Sequence, residues 1–76
     1  MVERDTKVNL ELTCGEVFNV TIAIIRECDS LIKRGAPSYV ILPKIDLAEK
    51  LNNILVEADF DRWSKHTFTQ MREDCQ

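Results

Sequence analysis

The stretch from Cys14 to Arg34 constrains this chain most, because it reads as a helix whose apolar arc is wider than one packing contact covers. At about 100° per residue, Val17, Val20, Ile24, Cys28 and Leu31 form one seam. Phe18, Ile22, Ile25 and Ile32 form a second seam beside it. Together they span roughly 200°, whereas a helix packed on a single core needs about 100°. Thr21 falls inside the arc, where its hydroxyl can bond the carbonyl one turn back. The ends are equally well marked. Thr13 and Glu16 have capping-box spacing, Lys33 and Arg34 suit the negative end of the helix dipole, Gly35 supplies a left-handed stop, and Pro37 prevents continuation.

At 76 residues the chain is expected to be one domain, frayed over 1–6 and 73–76 with Cys75 exposed. Chains of this size bury only about 60 to 65% of their unfolded surface, so a second cover for the long helix has to come from a limited supply. Three cysteines, Cys14, Cys28 and Cys75, form no paired framework, which points to a reducing, cytoplasmic setting. The net charge of −3, from 13 acidic and 10 basic residues without a basic block, argues against direct nucleic-acid binding. No apolar run approaches the ~18 residues of a membrane span, and the polar stretch from Met1 to Lys7 does not read as a signal peptide.

The rest of the chain reads as short elements. Lys7 to Leu12 alternates, with Val8, Leu10 and Leu12 on one face, as in a half-buried strand. Such a strand must pair, and its candidate partners are Tyr39 to Leu42 or its own copy in another chain. Ser38 to Leu42 is rich in β-formers between Pro37 and Pro43, compatible with a second strand or an extended arm. Pro43 then opens a second helix to Ala58, with Leu47, Ala48, Leu51, Ile54, Leu55 and Ala58 as its apolar stripe. Asp59 or Asp61 can cap a third helix to about Arg72, the alternative being a strand over Lys65 to Met71. The fold expected is therefore α+β and helix-dominated: an N-terminal strand, a long central helix, a short second strand, a second helix, and a third helix or strand.

Chemistry-bearing residues are few. Cys28 sits in an apolar seam and reads as a small hydrophobe; Cys14 lies at a helix start, where free amides favour a thiolate. Any Cys/His scheme must use His66, the single histidine, and no spacing ties it to a thiol. Cys14, Cys28, His66 and Cys75 lack the short paired spacing of a structural zinc module, and Glu57, Asp59 and Asp61 lack the glycine and closing glutamate of a calcium loop. No catalytic residue, cofactor or metal is therefore expected. Tyr39, Phe60 and Trp63, with the acidic Asp61, read as an anchor for a partner protein, or else as completion of a small core.

The opening Val8-Asn9-Leu10-Glu11-Leu12-Thr13, with Glu16 and an apolar helix after it, resembles the strand-to-helix start of many small phage- or prophage-encoded proteins. That resemblance implies an accessory protein that binds and inhibits or adapts a host protein. The sequence thus leads to a protein-binding module without enzymatic activity, which forms a homodimer and engages an unidentified protein partner. Its interface is expected on Val17, Phe18, Val20, Ile22, Ile24, Ile25, Leu31 and Ile32, or on the Lys7 to Leu12 strand. The competing classes are a structural assembly subunit and an enzyme using Cys14 or Cys28 with His66.

Overall fold

Three helices and no strand form over residues 3–75, the part of the chain that the computed structural model describes. They are α1 (Cys14–Lys33), α2 (Ser38–Glu57) and α3 (Lys65–Asp74). The α+β expectation is therefore corrected to an all-helical fold.

Helix α1 is built by local signals. Glu16 N donates to Thr13 Oγ1 at 3.1 Å, and Thr13 N donates to Glu16 Oε1 at 2.8 Å, closing a capping box. The second bond holds the Glu16 carboxyl below its ordinary value, so the cap stabilises α1 at neutral pH and weakens as acid protonates the glutamate. At the other end Gly35 takes φ 74°, and Ala36 N and Gly35 N donate to Leu31 O and Ile32 O, each at 3.0 Å. These two bonds form a Schellman stop. Thr21 Oγ1 donates to Val17 O at 2.7 Å, which lets a hydroxyl sit fully buried in the apolar arc.

Helix α2 begins at Ser38, so the second strand expected over 38–42 is helical instead and Pro43 lies inside a helix. Proline there removes one hydrogen bond and crowds the carbonyl of Tyr39, normally at a penalty of about 3 kcal/mol. Tertiary burial overrides this. Ile41, Ile45, Ala48, Asn52 and Leu55 recur at helical spacing on one buried face that continues through the proline, while Pro43 and Tyr39 face solvent. The actual stripe is rotated from the expected one, and Leu47 and Ile54, counted there as core, are exposed. The helix ends in a second Schellman stop, with Asp59 at φ 54°, Phe60 N donating to Leu55 O at 2.9 Å and Asp59 N to Val56 O at 3.1 Å.

The link over 34–37 turns α2 back along α1, and α3 lies against the pair. Cys28, Ile41, Ile45, Ala48, Phe68 and Met71 pack together with Cys75, which is buried where the sequence suggested exposure. Helix α3 starts at Lys65, later than Asp59 or Asp61 would place it, and excludes the alternative strand over 65–71. Segment 59–64 is held by α2. Asn52, buried in its stripe, donates from Nδ2 to Trp63 O at 2.9 Å and accepts from Trp63 N at 2.8 Å.

The strand expected over Lys7 to Leu12 also needs correction, because residues 6–12 carry no strand pairing and are exposed. Nothing within the described residues offers a sheet edge for them to join.

The Asn52 clamp yields a direct prediction. Asn52→Ala leaves the Trp63 amide and carbonyl without their partner and should reduce unfolding free energy by about 2 kcal/mol in urea titration. Trp63 fluorescence should shift to the red in the folded variant; unchanged stability and emission would show that the clamp is not structural.

Candidate functional site

The wide arc of α1 receives two covers from its own chain. Its Val17–Cys28 side turns inward, with Val17 and Cys28 buried and Ile24 and Leu31 packed partly on the core. On the second seam Phe18 stacks on Trp63, with centroids 4.7 Å apart, and meets Phe60 edge-on at 6.2 Å. Ile25 and Ile32 pack on the core around Phe68, while Ile22 is half-buried. Phe60 and Trp63 thus lie with Phe18 inside one chain. Asp61 is exposed beside them, and Tyr39 stands apart at the start of α2 with 76% of its surface exposed.

Apolar surface without a cover lies elsewhere. Val20 keeps 45% of its surface exposed, Leu47 and Ile54 keep 47% each, and Leu51 is half-buried. The side of α2 on which they lie can be worked out. Asp46 and Glu49 fall to one side of the Ile41–Leu55 stripe and face α3, as shown by Arg72, whose guanidinium reaches them at 2.7 and 2.6 Å. Leu47, Leu51 and Ile54 fall to the other side. Phe18 and Val20 divide α1 in the same way, Phe18 toward Trp63 and Val20 away from it. Segment 60–74 therefore lies on one flank of the helical hairpin, where Leu42 and Val56 still keep 36% and 43% of their surface exposed, and none of it lies on the opposite flank.

The N-terminal arm adds to this surface, since Val8 is 71% and Leu10 is 74% exposed. The accessible surface of 5928 Å² for an 8.8 kDa chain exceeds the roughly 4,800 Å² expected of a compact protein of that mass. A radius of gyration of 13.3 Å, against about 11.4 Å for a compact chain of this length, and a thinnest extent of 15 Å describe the same thin, spread-out shape.

The chemical candidates are not assembled into a reactive site. Cys28 is fully buried, and desolvation raises its thiol pKa, with Lys44 opposing the shift only in part. His66 is exposed on α3, and no hydrogen bond joins it to a thiol among the described residues. Among those residues no group of three or more His, Cys, Asp or Glu is placed to hold a metal ion. No described helix is long and apolar enough to cross a membrane. An open groove of about 690 Å³ runs beside the clamp between Asn52, Val56, Arg62, Trp63 and Lys65.

Compared with protein families, with curated proteins and with solved structures, the chain matches none.

The burial pattern predicts thiol reactivity. With iodoacetamide under native conditions, half-buried Cys14 should be alkylated first, while Cys28 and Cys75 should react only after denaturation. Mass spectrometry reads the order, and rapid triple modification of the native protein would contradict the packing described.

Proposed function

We propose that this chain is a protein-binding module without enzymatic activity, whose first partner is a second copy of itself. The observation that carries this reading is the open flank of Val20, Leu47, Leu51 and Ile54 together with the exposed apolar row of the arm. Contiguous exposed apolar surface marks interaction sites. The chain exposes roughly 1,100 Å² more surface, polar and apolar together, than a compact protein of its mass.

The location differs from the one that the α1 seams alone suggest. Phe60 and Trp63 occupy the second seam within the chain, so the width of the arc no longer demands a partner. Association is carried by the opposite flank and the arm. The burial of Cys28, and the lack of a hydrogen bond between His66 and a thiol among the described residues, favour binding over thiol catalysis.

Sedimentation at micromolar concentration should give twice the 8.8 kDa chain mass. Leu47→Lys combined with Ile54→Lys, both at exposed positions, should return the protein to a monomer with unchanged helicity. A compact wild-type monomer would overturn the proposal. Assemblies larger than a dimer would favour the assembly-subunit function instead.

A further inference from the structure

We infer that the two arms of the dimer pair with each other as an antiparallel ribbon centred on Asn9, with Lys7 of each chain opposite Glu11 of the other. The inference rests on the self-association proposed above and adds its geometry.

It follows from three observations. The arm has the two-residue alternation of a strand, with Val8, Leu10 and Leu12 on one side and Lys7, Asn9 and Glu11 on the other. The arm carries no strand pairing in its own chain, and the fold offers no sheet edge among the described residues. A row of apolar side chains and unpaired backbone groups of this kind is a ready template for an identical segment.

Charge then selects the register. Only pairings that place even-numbered residues opposite even-numbered ones keep the apolar side chains of both arms on one face. Centred on Val8, such a pairing sets Asp5 against Glu11, two like charges. Centred on Leu10, it sets Lys7 against Thr13 and Asn9 against Glu11. Centred on Asn9, it sets Lys7 against Glu11 twice over, Val8 against Leu10 twice over and Asn9 against itself. In-register parallel pairing would bring Lys7 to Lys7 and Glu11 to Glu11. The Asn9-centred antiparallel ribbon is thus the arrangement that sets opposite charges together twice and Val8 against Leu10 twice, with Leu12 opposite Thr6, in keeping with a two-fold interface. A two-stranded ribbon is not stable alone and needs an apolar surface to lie on. The open flank with Val20, Leu47 and Ile54 provides one.

A charge exchange on full-length protein tests the register, since Lys7 and Glu11 are exposed and their substitution does not touch the core. Lys7→Glu makes each pair two glutamates, and Glu11→Lys makes each pair two lysines. Each single variant should weaken the homodimer about tenfold by sedimentation. Mixed in equal amounts, the two variants should form a heterodimer in excess of either homodimer by native mass spectrometry. The double variant should recover wild-type affinity. General charge repulsion cannot mimic this, because Glu11→Lys brings the net charge of −3 closer to zero and would then tighten the dimer. A wild-type dimer indifferent to all three changes overturns the ribbon and leaves association through the helical flank standing. A wild-type monomer overturns both.

Discussion

Asn52 presents its side-chain amide to the backbone of Trp63 as one peptide group presents itself to another across a sheet, donating at 2.9 Å and accepting at 2.8 Å. Much of the architecture depends on this pair. The Schellman stop at Asp59 ends α2, and the Asp59–Arg62 ion pair at 2.9 Å with the Arg62 Nε bond to Phe60 O at 3.0 Å tightens the turn that follows. The clamp then fixes where that turn arrives. Trp63 comes to rest on Phe18, and α3 is launched across the core with Phe68 at its centre. A buried asparagine satisfied on both faces is favourable where an unsatisfied one would be costly, and no buried side-chain polar atom lacks a partner among the described residues.

This clamp also decides which surface stays open. With segment 60–74 committed to the Phe18 and Asp46 side of the hairpin, the Val20 and Leu47 side has no third element to cover it among the described residues. Helix α3, with 10 residues against the 20 of α1 and of α2, lies on one side of the pair, and the thinnest extent is 15 Å. The apolar flank and the arm are the exposed apolar surfaces on which the proposed self-association rests.

Where structure is set locally, the sequence was legible. The Thr13–Glu16 cap, the Gly35 stop and the Thr21 hydroxyl bond each depend on residues within a few positions, and α1 follows them closely. Structure departs from the local pattern where distant packing outweighs local preference. β-branched residues before Pro43 favour extended chain, yet Ile41 shares a buried face with Ile45 and Ala48, and that burial carries the helix through the proline. Placing the α2 stripe from apolar residues alone rotated it toward Leu47 and Ile54, because its true line passes through a polar residue, Asn52. An asparagine at helical spacing from Ile41, Ile45, Ala48 and Leu55 was the available signal for both the stripe and the clamp. At Asp59 a non-glycine residue takes the left-handed conformation, a role that composition marks far less clearly than it does at Gly35. The alternation of Lys7 to Leu12 favours a strand by local pattern alone, yet the arm is unpaired and exposed, because the fold offers it no sheet edge among the described residues.

The proposed pairing of the arms is most directly tested by hydrogen exchange at the backbone amides of residues 7–12, followed by NMR in dilute and in concentrated protein. A ribbon between copies predicts protection that rises with concentration and alternates from residue to residue, since only every second amide in each arm points at the other strand. Fast, uniform exchange over 7–12 at every concentration, while the amides of α1 and α2 stay protected, would contradict it.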